Sequence, residues 1–281
     1  MLPHQWRKFS FFTKKENSNA TAVSNYLQDV DVVCVATSKG YLFFGDSRGN
    51  IHVCDRSFEF TSFRAHEGAV CSIVTPEIPS RLFLITAGCS EDGTEWKVSI
   101  WSLRQNDPGG VPTLLRKLSV ATSHNETSQP ITLVSTNEDM THLAVALANG
   151  SVILFQGDLL RDRKVHGRLL TSQDNPTTGM SFLRLVNEDG WGLYISTKTS
   201  VTFFRVTPTA ITKNEVEPVS SKIGCATGCS TVLRESQEFA VGTEAVIWYY
   251  GVDGKHGASF FEGPKRLLTC FRQYLVILSP P

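Results

Sequence analysis

The stretch Ala65-His66-Glu67-Gly68-Ala69-Val70-Cys71-Ser72-Ile73 opens the segment whose reading decides the fold; it continues through Leu82-Phe83-Leu84-Ile85 and Ser90-Glu91-Asp92-Gly93 to Val98-Ser99-Ile100-Trp101. Three short apolar runs rich in Val, Ile and Leu are separated by Gly, Asp and Ser. That is the pattern of consecutive antiparallel strands, the last two joined by a polar hairpin turn. No part of the chain sustains a helical period, so the class is all-β.

The unit recurs. Tyr41-Leu42-Phe43-Phe44 leads through a Gly-Asp-Ser-Arg-Gly-Asn turn to Ile51-His52-Val53. Leu143 to Ala146 leads to Val152 to Phe155, Leu193 to Ile195 to Val201 to Phe203, and Phe239 to Val241 to Val246 to Trp248. Each hairpin follows another apolar run: Val32 to Val35, Val70 to Val74, Ile131 to Ser135, Gly179 to Leu185, and Cys229 to Leu233. The equivalent positions Ile51, Val98, Val152, Val201 and Val246 lie 47, 54, 49 and 45 residues apart. A period of roughly 40–50 residues with three or four strands per unit predicts a β-propeller. A blade cannot bury both faces alone, so stacked blades explain 41% hydrophobic residues beside only 19% charged ones.

The second unit resembles a WD-type repeat. In that repeat a His, a turn Asp and a late Trp form a hydrogen-bonded network, and His66, Asp92 and Trp101 occupy those places. The reading for these three is structural, because buried polar networks of this kind specify a fold. A sixth unit begins at Arg266 to Phe271 and continues Tyr274 to Leu278 before Ser279-Pro280-Pro281. Proline cannot donate to a ladder. The expectation is one domain over residues 1–281, a WD-like propeller of a seven-blade type, incomplete at about five blades plus part of a sixth. Gln5 to Phe12 reads as an orphan strand of the kind that completes a last blade.

Composition narrows the function. The chain has 281 residues, 27 basic and 27 acidic, and no net charge. Nucleic acid is therefore not expected as a partner, since phosphate binding needs clustered Lys and Arg. No signal peptide or membrane helix is legible, Leu2 excludes N-myristoylation, and the seven cysteines do not form a disulfide framework. The expected setting is cytosolic. There the Asn19 and Asn125 glycosylation patterns carry no weight.

Signals for chemistry fail one by one. Gly40 and Gly45 have phosphate-loop spacing, but Asp46 and Ser47 follow where Lys and Ser or Thr are needed. Cys225 and Cys229 form one tight pair without a second, so no zinc site is expected. Ser90 to Trp96 is close to the Asp-box of sialidases, but Asp92 and Gly93 are adjacent where one residue should intervene. No paired carboxylates and no Gly-x-Ser-x-Gly elbow stand out. Phe63-Arg64-Ala65 and Phe271-Arg272-Gln273 each lack the second Arg of a phosphoinositide motif. Arg161-Asp162-Arg163-Lys164 is the densest basic spot: a solvated loop, or a contact for an anionic lipid or acidic peptide through Arg161, Arg163 and Lys164. No enzyme and no cofactor are expected.

Further segments are distinctive: Gln5-Trp6-Arg7-Lys8-Phe9-Ser10-Phe11-Phe12, Gly45 to Ile51, Gly150 to Leu154, Gly157-Asp158-Leu159-Leu160-Arg161-Asp162-Arg163, Phe260-Phe261-Glu262-Gly263, and Phe271 to Ile277. With them nearly the whole chain resembles the N-terminal propeller of the vacuolar protein sorting-associated protein 11 family. The resemblance implies a scaffold of the HOPS and CORVET membrane-tethering complexes, acting in endosome-to-lysosome or vacuole transport and fusion. It implies other class C subunits as partners and, through the complex, Rab GTPases and SNAREs. It also implies peripheral association with late endosome and lysosome or vacuole membranes. The family's α-solenoid and RING-type zinc domain have no counterpart here, as expected of a fragment, a splice product or an incomplete gene model. The other reading is a generic WD-like adaptor of a coat or ubiquitin-ligase scaffold.

Overall fold

The computed structural model describes residues 20–79, 81–103, 112–120, 128–161, 164–171, 175–186, 188–216 and 225–280. A short helix, α1 (Ala20–Leu27), precedes the strands. The first blade is β1 (Val32–Ser38), β2 (Tyr41–Asp46), β3 (Asn50–Cys54) and β4 (Phe60–Arg64). The second is β5 (Val70–Val74), β6 (Leu82–Cys89), β7 (Trp96–Leu103) and β8 (Thr113–Ser119). The third is β9 (Ile131–Thr136), β10 (His142–Leu147), β11 (Val152–Gln156) and β12 (His166–Thr171). The fourth is β13 (Thr177–Arg184), β14 (Trp191–Thr197), β15 (Val201–Val206) and β16 (Ile211–Val216). The fifth is β17 (Ser230–Leu233), β18 (Glu238–Gly242), β19 (Val246–Gly251) and β20 (Gly254–Phe260). A sixth sheet holds β21 (Leu267–Phe271) and β22 (Tyr274–Leu278). Every sheet is an antiparallel meander with strands in chain order. The architecture is thus an incomplete propeller: five four-stranded blades and two strands of a sixth. The Gln5 to Phe12 segment lies outside the described residues.

Blade faces explain the apolar runs. Opposed residues on paired strands share a face. In the first blade, Ala36 opposes Phe43 and Phe43 opposes Val53. This face packs on Val70, Ile73, Leu82, Leu84 and Trp101 of the second blade. Four more apolar clusters repeat the arrangement down the chain. Ile85 and Val98 meet Leu143 and Phe155; Leu154 meets Leu193 and Phe204; Tyr194 and Phe203 meet Phe239 and Tyr250; Ile247 and Tyr249 meet Leu268. In the second to fifth blades the second and third strands therefore bury both sides, and β14 is buried at every residue. The first strands touch in succession, β1 with β5, then β9, β13, β17 and β21.

Among the described residues, two blade faces lack a neighbouring sheet. On the first blade this face carries Val35, Phe44 and His52, since Val35 opposes Phe44 and Phe44 opposes His52. Helix α1 covers its outer part: Tyr26 stacks on Phe60 with ring centroids 4.0 Å apart. Val35 nearer the centre stays 55% exposed. On the sixth sheet Leu267, Phe271, Tyr274, Val276 and Leu278 are exposed together, in register across the pair.

Gly49 shows how tightly blades are joined. Its φ is 92°, and its carbonyl accepts from Ala65 N at 2.9 Å and His66 N at 3.1 Å. A Cβ there would sit 2.2 Å from the His66 carbonyl oxygen. Only glycine meets both demands.

The exposed sixth-sheet face and the outer edge of β22, which pairs with no described strand, predict self-association. Replacing Val276 and Leu278 together by Lys should lower static light scattering at a given concentration while leaving the far-ultraviolet circular dichroism unchanged. Scattering equal to that of the parent chain would show that this face is not the adhesive one.

Candidate functional site

Two of the three residues expected to form a network do meet. The His66 ring Nε2 lies 2.8 Å from Thr86 Oγ1, and the Trp101 indole N–H donates to the same hydroxyl at 3.1 Å. All three are buried. Thr86 on β6 is the hub, and nothing in the sequence reading singled it out. Asp92 stands apart, and its place in the network is corrected here. It sits in the exposed β6–β7 turn, where it accepts from Ser90 Oγ, from Thr94 N at 3.1 Å and from Thr94 Oγ1 at 2.7 Å. Local donors satisfy the carboxylate, and those bonds, Ser90 first, hold its pKa down to about 2. It has no reason to turn inward. His66 is opposite in character: burial pushes it down to about 4, so it is neutral at pH 7.

The inward-turned aspartate belongs to the first blade. Asp46, the last residue of β2, is 4% exposed. Its Oδ1 accepts from Arg48 N at 2.9 Å and Asn50 N at 2.7 Å, and its Oδ2 from Asn50 Nδ2 at 2.9 Å. Burial pushes its pKa up, but these bonds and the one from His52 outweigh it, and the net shift is downward. With Asp46 ionised, His52 donates Nε2–H to Oδ2 at 3.1 Å, and the Tyr26 hydroxyl donates to His52 Nδ1 at 3.0 Å. The Asp-x-x-x-Asn spacing in the turn was the available signal; Tyr26, 26 positions away, had none. The outer member of this chain of bonds, Tyr26, lies stacked on Phe60. It fastens α1 to the blade.

Cys225 and Cys229 are buried thiols of the core. Cys225 Sγ approaches the Cys229 carbonyl at 3.4 Å, and Cys229 Sγ the Lys265 carbonyl at 3.1 Å. Burial pushes the Cys225 thiol up to about 11 and Cys71 to about 12. Among the described residues no group of three or more His, Cys, Asp or Glu side chains could hold a metal ion. Lys265 Nζ spends its donors on the carbonyls of Glu244, Phe261 and Gly263 at 2.9, 2.6 and 2.9 Å. Lys39 Nζ does likewise with Ile78, Pro79 and Arg81 at 2.5, 3.0 and 2.8 Å, tying the first blade to the second.

A pocket of about 200 Å³ is lined by Glu138, Phe182, Leu183, Arg184, Arg234 and Gln237. Arg234 of the fifth blade reaches Glu138 at 2.8 Å and Glu77 at 3.2 Å, on the third and second blades. Arg184 lies over the Trp191 ring. These cations are engaged with protein groups, and the carboxylate in the lining, Glu138, is paired with Arg234. The other expected contact site is solvent-facing. Arg161 and Lys164 are exposed on the connection between β11 and β12, and Arg161 Nε lies 3.6 Å from Asp158 Oδ2. Arg163 lies outside the described residues. Among the described residues no helix is long and apolar enough to cross a membrane.

Comparison with known proteins agrees with this frame. The sequence model of the family described as PEP5/VPS11 N-terminal matches residues 6–281. The vacuolar protein sorting-associated protein 11 homolog of Dictyostelium discoideum is 27% identical over 98% of the chain, which spans 28% of that protein. The Mus musculus homolog is 29% identical over 98% of the chain and 30% of its own length. The chain thus spans under a third of these relatives. Among solved structures, the computationally designed Ika8 protein superposes with a TM-score of 0.58 at 14% identity, covering 88% of this chain and 67% of the other. Saccharomyces cerevisiae Sqt1 gives 0.54 at 11%, covering 88% and 79%. At such identities these two likenesses concern the fold alone.

The Thr86 hub yields two expectations. Replacing Thr86 by Val leaves the His66 and Trp101 nitrogens unpaired in the interior and should cost about 1–3 kcal/mol of unfolding free energy. Asp92→Ala should shift the denaturant midpoint less. Equal shifts would restore Asp92 to the network. For pH, the folded His66 has a pKa depressed to about 4, whereas the unfolded side chain binds its proton near 6.5. Below 6.5 the unfolded chain holds more protons, so the stability present at neutral pH is lost as pH falls toward 4. His66→Gln should flatten the melting temperature across that window relative to the parent chain.

Proposed function

The chain belongs to the PEP5/VPS11 N-terminal family, and we propose that it serves as a non-enzymatic scaffold of the HOPS and CORVET tethering complexes. The family match over residues 6–281 carries this reading. In this reading the blades present loops and outer strands to other class C vacuolar protein sorting subunits. Rab GTPases and SNAREs are reached through the assembled complex. The protein works in the cytoplasm, peripheral on late endosome and lysosome or vacuole membranes, during vesicle transport and fusion. His66 and Trp101 support the framework through Thr86.

A chimera tests the assignment. Replacing the matching N-terminal stretch of the Mus musculus relative by this chain should preserve co-purification of class C subunits and endosome-to-lysosome delivery. Loss of those subunits would overturn the reading. Enrichment of coat or ubiquitin-ligase subunits instead would favour the alternative of a general propeller adaptor.

A further inference from the structure

The neutral total hides a local excess of positive charge. Over 112–120 and 157–171 the described residues include Arg116 and Lys117 on β8, Arg161 and Lys164 on the β11–β12 connection, and Arg168 on β12. The one carboxylate described in these segments is Asp158, held at 3.6 Å by Arg161. Lys117, Lys164 and Arg168 have no ion-pair partner among the described residues. The patch is continuous from blade to blade, because Arg116 Nη2 donates to the Arg161 carbonyl. Three leucines are exposed among these cations: Leu114 at 40%, Leu115 at 38% and Leu169 at 49%.

We propose that this rim of the second and third blades docks on a phospholipid bilayer carrying anionic headgroups. The inference goes beyond the scaffold reading, since class C assembly needs no lipid contact at these residues. The cations do not converge. Arg116 opposes Ile100 on the face toward the third blade, while Lys117 opposes Ser99 on the other face. Leu114 opposes Trp101, whose side chain packs toward the first blade, and Leu169 opposes Ile153, on the face packed against the second. A single phosphate or a peptide in one groove would meet only part of this set. An array of headgroups over an apolar layer can meet all of it, with the cations at the phosphates and leucines at the boundary. Attraction of this kind is additive over the cations and is screened by salt.

The test uses the purified 281-residue chain in vesicle co-sedimentation. Vesicles of phosphatidylcholine with about 30% phosphatidylserine should retain the chain, whereas phosphatidylcholine alone should not. Arg161→Glu with Lys164→Glu should weaken retention about tenfold or more. Arg168→Glu should act in the same direction, and Lys198→Glu, on an exposed turn of the fourth blade, should have no effect. Raising salt to about 0.5 M should release the parent chain. Leu114→Ser with Leu115→Ser should weaken binding with the salt dependence unchanged. Equal retention on neutral vesicles would overturn the proposal, as would rim variants that sediment like the parent chain. Binding of polyglutamate without vesicle retention would overturn it in favour of an acidic polypeptide. A failed chimera with intact vesicle binding would strike the scaffold reading alone.

Discussion

Everything in this molecule depends on one constraint: a twisted four-stranded sheet has two apolar faces and cannot shield either by itself. Each blade solves this by lending its faces to its neighbours. The five inter-blade clusters are the result, and each draws on second and third strands of adjacent sheets. Burial of this kind stabilises by roughly 25 cal/mol per Å² of apolar surface removed from water. Several polar groups enter the interior with partners, whereas the buried hydroxyls of Ser99 and Tyr194 have none among the described residues. Thr86 takes two nitrogens, Asp46 takes donors from three residues, and Lys265 gives all its protons to carbonyls.

That constraint explains which parts of the fold were legible in the sequence. Strands such as Leu143 to Ala146 and Leu193 to Ile195 must be apolar on both sides, so they read as unbroken runs. The fourth strands bury little. Thr113–Ser119 and His166–Thr171 are mostly exposed and carry Arg, Lys and His, so their sequences resemble loops. Helix α1 is eight residues long, too short to show a period. The sequence marked hairpins and blade count, and it left the fourth strands unmarked.

The polar sites were legible in proportion to how local their bonds are. His66 and Trp101 stood out by position, but Thr86 is one threonine within a strand, and its role exists only once β6 lies between the two rings. Asp92 was misread because a turn aspartate followed by Gly looks the same whether it points inward or outward. What separates Asp92 from Asp46 is distance from the strand. Asp46 closes β2 itself and faces its own blade, whereas Asp92 lies three residues beyond Cys89, the last residue of β6, with Ser90 and Thr94 beside it. The basic rim went only partly seen, since Arg161 is adjacent to Arg116 in space and 45 residues from it in the chain.

The succession of first strands, each touching the one before and the one after, makes the molecule a line bent into an arc. Each blade couples only to the blades it touches, so cooperativity passes from one interface to the next. The third and fourth blades have a packed neighbour on either side, whereas the two-stranded sixth sheet leans on one cluster only. Backbone amides of β21 and β22 open by peeling a single interface, while those of β10 and β14 open only when two give way. Hydrogen exchange therefore runs as a gradient along the chain, fastest at the sixth sheet and slowest at the centre. The protein has no single rigidity; its stiffness is a profile set by how many neighbours each blade has.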